Sequence, residues 1–186
     1  MTLSKKISAF VCSNDCNDED ERSIIEFGIS ILLSKLLNLV TEIIVGCLFS
    51  MLTETIIFLI AFSFLRSYAG GFHASSSCRC YVSSTATMII ALLFIKYTDV
   101  LAVNYIFILF GAVLCFIFAP VESRNKPLDM TEKIVYRKRV MIILFLIFIL
   151  LASSYFLHID MIFRTLSVVL LIEGIMLILG KITLKR

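Results

Sequence analysis

Six apolar runs divided by short polar breaks organise this chain: approximately Ile24–Phe49, Met51–Leu65, Tyr81–Tyr97, Val100–Ala119, Val140–Leu157 and Met161–Leu179. A helix that crosses a bilayer needs about 20 residues, and about 17 at the least. The second run, at about 15 residues, falls short of that length. It is expected to cross with little tilt, to thin the bilayer locally, or to form a re-entrant piece. Apolar runs this long predict helices, because a backbone in lipid must satisfy its own N–H and C=O groups. The expected fold is an all-α polytopic membrane protein of about six transmembrane helices.

Composition agrees: 60% of the 186 residues are hydrophobic, where a soluble domain has about half. The net charge of +3 is modest, and the basic residues gather at the ends of apolar runs, so nucleic-acid binding is not expected. Their distribution predicts orientation. With six crossings and a cytoplasmic amino terminus, 14 of the 17 Lys and Arg residues fall on the inner side. Lys96 and Arg164 fall near the outer side, and Lys35 lies within the first run. Both termini are therefore expected in the cytoplasm.

The chain then reads as one integral membrane domain, residues 1–186. A cytoplasmic amino-terminal segment (1–23) precedes spans 1 and 2 (24–65) and a polar segment (66–80). Spans 3 and 4 (81–119), a basic cytoplasmic loop (120–139), spans 5 and 6 (140–179) and a short tail (180–186) follow. The amino-terminal segment lacks the long apolar region and small-residue cleavage site of a secretory signal. Ile7, Phe10 and Val11 are expected on one face of a short amphipathic helix at the membrane surface.

The polar segment carries the candidate chemistry. RSYAGGFHASSSCRCYVSS, Arg66–Ser84, holds two adjacent glycines, one of two histidines and two of six cysteines. On a cytoplasmic face the thiols of Cys78 and Cys80 stay reduced. A cysteine attacks as thiolate, and a neighbouring histidine is a base that can take its proton. His73 and Cys80 are seven residues apart, which on a straight helix separates their Cα atoms by about 10.5 Å, beyond hydrogen-bond reach. Gly70 and Gly71 favour a backbone break, and Ser75, Ser76 and Ser77 are better loop than helix residues. A bend there brings the two side chains within reach. The residues alone do not choose between Cys78 and Cys80, nor between this site and an ordinary inner loop.

Metal binding is not expected. Cys12 and Cys16 have no second pair nearby, and His73, Cys78 and Cys80 have no evident fourth ligand. Cys47 and Cys115 sit in apolar runs and read as buried small hydrophobes. Lys35 and Glu42, seven apart, lie on nearly one helical face. With Glu54 and Glu173 they either pair and snorkel within the bundle or line a polar groove.

The Arg66–Ser84 stretch resembles the Arg…Gly-Gly-x-His-Ala…Cys signature of the accessory gene regulator B (AgrB) family, whose histidine and a cysteine seven residues later form the catalytic pair. His73 and Cys80 match that spacing; Cys78 does not. NDEDERSIIEFGISILLSKLLN, from Asn17, is similar to the family's amino-terminal segment, and PVESRNKPLDMTEK, from Pro120, to its central cytoplasmic loop.

The resemblance implies a cysteine endopeptidase of the bacterial cell membrane that matures an AgrD-type quorum-sensing pro-peptide without a cofactor. Cys80 is then the nucleophile and His73 the base. Gly70 and Gly71 shape a catalytic loop or re-entrant segment on the cytoplasmic side, and Arg66 and Arg79 are the expected contacts to an acidic substrate. Cleavage through a Cys80 thioester leads to a thiolactone or lactone ring. A homodimer is implied by family likeness alone. A non-enzymatic polytopic protein for peptide transport or assembly is the competing reading, favoured by intramembrane charges such as Lys35 and Glu42.

Overall fold

The computed structural model describes residues 19–72, 76–122 and 128–184, with side chains from residue 23 onward apart from that of Ser77. Among these residues the chain forms six α-helices and no strand. They are α1 Glu19–Leu48, α2 Leu52–Ala69, α3 Ser77–Tyr97, α4 Leu101–Phe118, α5 Met130–Phe156 and α6 Asp160–Leu184. All six are long and apolar enough to cross a membrane, which makes this a multi-pass membrane protein. Large side chains such as Leu37, Leu109 and Phe145 stand exposed along α1, α4 and α5. In water they would form an untenable patch; in a bilayer they face acyl chains.

The bundle is built around α6, in which every residue from Thr165 to Gly174 is buried. Helix α4 lies closest against it. A Cβ on Gly111 would collide with the Leu170 carbonyl, and one on Gly174 would lie 3.2 Å from the Gly111 Cα. Small residues at a crossing let two backbones approach and gain dispersion contact where lipid offers no hydrophobic drive. One apolar cluster joins Leu65, Leu144, Leu166 and Leu177, and a second joins Phe58, Met88, Leu92 and Val168. Helices α2 and α3 touch each other little; α1 on one side and α6 on the other fill the space between them.

Successive helices run in alternate directions. At one end Tyr68 packs edge-on against Tyr136 at 5.8 Å, and Lys181 lies 4.3 Å from the centre of the Phe118 ring. At the other end Arg164 pairs with Asp99, and Tyr105 packs on Phe163.

Several boundaries differ from those expected. The second span does not stop at Leu65: α2 continues through Arg66 to Ala69, an 18-residue helix of crossing length. Arg66 ends the apolar run in the sequence, but its charge is paired inside the bundle, so the helix need not end there. Helix α5 begins at Met130 rather than Val140. Asp129 accepts from the Met130 amide at 2.7 Å, and Glu132 reaches back to the Asp129 amide at 3.2 Å, a capping box that starts the helix ahead of its apolar part. The expected amphipathic helix at Ile7–Val11 and the Cys12–Cys16 pair lie outside the described residues. Cys115 is buried as expected, but Cys47, near the end of α1, is exposed.

Candidate functional site

Helix α2 ends because its next residue adopts a conformation that side chains disfavour. Gly70 has φ +77° and ψ −141°, and a Cβ there would also strike the Val121 carbonyl. Gly71 follows at φ +118°. The three residues Gly70–Phe72 form a strap pinned from two sides. The Val121 amide donates to the Ala69 carbonyl at 2.8 Å, tying the strap to the connection after α4. The Phe72 amide donates to the Met176 carbonyl of α6 at 3.0 Å. Gly180 makes the second contact possible, since a Cβ on it would lie 2.6 Å from the Gly71 carbonyl carbon.

Helix α3 restarts after Ser76, whose backbone is extended (φ −137°, ψ 151°) and whose hydroxyl caps the helix by accepting from the Arg79 amide. The chain is thus not helical throughout the seven-residue separation of His73 and Cys80. The break lies where the adjacent glycines and the serine run place it. His73 itself, with Ala74 and Ser75, lies outside the described residues.

Where α2 and α3 diverge, a cavity of about 560 Å³ opens, lined by α1, α2, the start of α3, the connection after α4 and the beginning of α5. A smaller chamber of about 130 Å³ continues from it toward Met176 on α6. Cys80, Glu42 and Arg66 line both chambers. Lys35 and Asn38 face the larger one with Glu42, so the two charges expected on one face of α1 do share a polar wall. Leu39, Leu59 and Phe62 give the rest an apolar character. The combined volume is that of a small-molecule or short-peptide site.

The two cysteines of the Cys-Arg-Cys run separate here. Cys80 is partly buried and lines the cavity; Cys78 is exposed and does not. Arg66 lines the cavity but is also engaged within the protein. Its guanidinium donates to the Phe72 carbonyl, lies 3.8 Å from the Glu173 carboxylate and sits 5.5 Å from the centre of the Phe62 ring. Arg79 is exposed on the first turn of α3 and is not part of the cavity lining. Sequence reasoning missed Asn38, Glu122 and Tyr136, which also line the cavity. Only α1 periodicity from Lys35 and Glu42 pointed to Asn38; the other two arrive from distant parts of the chain.

Glu122 closes the cavity's edge. Its carboxylate accepts from the Leu128 amide at 3.2 Å and pairs with Lys133 at 3.3 Å. The Leu128 amide first, and then Lys133, hold its pKa below the ordinary 4.5. Glu54 lies elsewhere, in a separate cavity at the opposite end of the bundle. Among the described residues no cluster of His, Cys, Asp and Glu has the makings of a metal site.

Residues 4–177 match the family model described as Accessory gene regulator B. The chain belongs to the accessory gene regulator B family. An AgrB-like protein of Clostridium perfringens is 34% identical over 139 residues, covering 70% of this chain and 64% of that protein. An AgrB-like protein of Clostridium acetobutylicum is 34% identical over 108 residues, 56% of this chain and 50% of the relative. Accessory gene regulator protein B of Staphylococcus aureus is 25% identical over 134 residues, with 69% and 68% covered. The chain thus spans less than two thirds of the length of the clostridial relatives. No solved structure gives a significant match. Of the residues that carry the resemblance in the sequence, Arg66, Gly70, Gly71 and Cys80 fall on the strap or the cavity wall described above.

Proposed function

We propose that this protein is a membrane-embedded cysteine endopeptidase of quorum sensing, which cleaves the carboxyl-terminal part of an AgrD-type pro-peptide and promotes its cyclisation. Family membership supports the role. The observation that carries the chemistry is that, among the described residues, Cys80 is the one cysteine lining the large cavity.

In this reading the peptide enters the cavity and the Cys80 Sγ attacks the carbonyl carbon of the scissile bond. His73 takes the thiol proton and then delivers it to the leaving amine as the C–N bond breaks. The peptide's amino-terminal part remains as a thioester on Cys80. A thiol or hydroxyl within the peptide then attacks that carbonyl, closing a thiolactone or lactone and returning the Cys80 thiol. A thioester exchanged for a thiolactone is nearly balanced in bond energy. Leu39, Leu59 and Phe62 around the cavity limit the water that would hydrolyse the intermediate.

An acidic leaving tail is steered by the cations at this end of the bundle, Arg79, Lys133, Arg137, Lys138 and Arg139 among them. Arg66 and Arg79 serve as substrate contacts, Arg66 from within the cavity. The excess of positive charge at this end supports a cytoplasmic position for it and for both termini in the bacterial cell membrane. The working unit is a homodimer, and the chain acts as one domain with residues 66–80 as its catalytic segment.

The test is cleavage of the pro-peptide by protein in liposomes, followed by mass spectrometry. Cys80→Ala should abolish cleavage and ring formation, whereas Cys78→Ala should process at close to the native rate. Abolition by Cys78→Ala alone would move the nucleophile, and cleavage by Cys80→Ala would end the proposal.

A further inference from the structure

Glu173 is an unusual residue to find where it is. It lies in the fully buried stretch of α6, and neither of its carboxylate oxygens accepts a hydrogen bond. Its ion-pair partner is Arg66, 3.8 Å away. A buried ion pair is generally no more stable than well-packed apolar side chains of the same volume, because desolvation offsets the Coulombic attraction. Fold stability alone therefore gives no reason for this pair.

Its surroundings suggest one. Glu173, Met176 and Gly180 are spaced three and then four residues apart, so they share one face of α6. All three act on the strap. Gly180 provides the space for Gly71, the Met176 carbonyl accepts from the Phe72 amide, and Glu173 holds the guanidinium that donates to the Phe72 carbonyl. The guanidinium also sits where a side chain on Gly71 would begin, 3.1 Å from an ideal Cβ. The Phe72 carbonyl belongs to the planar peptide unit whose nitrogen is that of His73. Fixing that carbonyl fixes the plane from which the His73 Cα departs.

We propose that Glu173 is a positioning residue of the cysteine site: it holds Arg66, and Arg66 holds the peptide unit that leads into His73. The inference rests on the reading of His73 and Cys80 as the reacting pair. Glu173 touches no substrate; it acts through Arg66 on the angle at which the base is presented. Misplacement of a reacting group by about 1 Å costs roughly a hundredfold in rate. When Glu173 alone is changed the cost should fall on kcat, because Arg66 and the other cavity residues that bind peptide are left in place.

The experiment measures pro-peptide cleavage in liposomes, together with thermal unfolding, for the native protein and four variants. These are Glu173→Gln, the double variant Arg66→Met/Glu173→Leu, the charge exchange Arg66→Glu/Glu173→Arg, and Cys80→Ala. Glu173→Gln should lower kcat roughly a hundredfold with KM nearly unchanged. The double apolar variant should unfold at the native temperature or higher and show the same loss of kcat, with KM also raised because the Arg66 contact to peptide is gone. The charge exchange should keep a folded protein without restoring kcat, because a glutamate at position 66 cannot donate to the Phe72 carbonyl.

Native kcat in the folded double variant would overturn the inference and leave the cysteine mechanism standing. So would a rise in KM with kcat unchanged in Glu173→Gln, which would make Arg66 a substrate contact only. Should Glu173→Gln not fold, the double variant decides alone. Cleavage that survives in Cys80→Ala removes the mechanism itself, and this inference with it.

Discussion

At Cys80 and Cys78, two residues apart and chemically identical, the difference in proposed role comes from placement. The first turn of α3 sets Cys80 toward the space between α2 and α1, while Cys78 points away from it. The α6 glycine that faces the strap shows the same dependence on close geometry. Gly180→Ala would place a methyl group 2.6 Å from the Gly71 carbonyl carbon and 2.8 Å from the Phe72 nitrogen, both backbone atoms that cannot swing aside. Overpacking of this kind costs about 1–3 kcal/mol. The variant should unfold at a lower temperature in detergent and lose processing more than stability, since the strap that moves is the one leading to His73. Gly28→Ala, which meets nothing within 4 Å, is the matched control and should be neutral or slightly stabilising.

Among the elements, the six helices were legible in the sequence because lipid leaves a spanning backbone no other choice. Their ends were less so. Hydropathy stops at the first charge, but α2 runs on past Arg66 because Glu173, over 100 residues later in the chain, receives that charge. The early start of α5 was written locally, in Asp129 and Glu132, as a capping box that an apolar count passes over.

The break between α2 and α3 was readable from Gly70, Gly71 and the serines. The wall opposite Cys80 was not, because Glu122 and Tyr136 reach the cavity only through the packing of the bundle. The connection carrying Glu122 supplies a pH-dependent prediction. Its carboxyl is held below the ordinary 4.5 in the folded protein, so its stabilising contacts are complete above that value and are lost as pH falls through the lowered one. Protease cutting between α4 and α5 should stay constant from pH 8 to about 5 and rise below about 4.5. Glu122→Gln should cut faster at neutral pH and lose most of that rise.

The whole molecule is a bundle organised around one buried helix, with a cavity at the end where positive charge collects. That arrangement reconciles two demands. Six spans must hide their backbones from lipid, while in the proposed reading a peptide must reach a thiol without meeting bulk water. Irregular backbone at this depth is tolerated because it lines a cavity and its groups are bonded to α6 and to the connection after α4.

The central claim is that Cys80 carries the peptide as a thioester, and trypsin offers a direct reading of it. Arg79 lies between the two cysteines, so cleavage after it puts Cys78 and Cys80 on different fragments. Protein mixed with pro-peptide, quenched in acid within a single turnover and digested, should carry the mass of the peptide's amino-terminal part on the fragment beginning at Cys80. Appearance of that mass on the fragment ending Cys78-Arg79, or on neither while cleavage proceeds, would contradict the account.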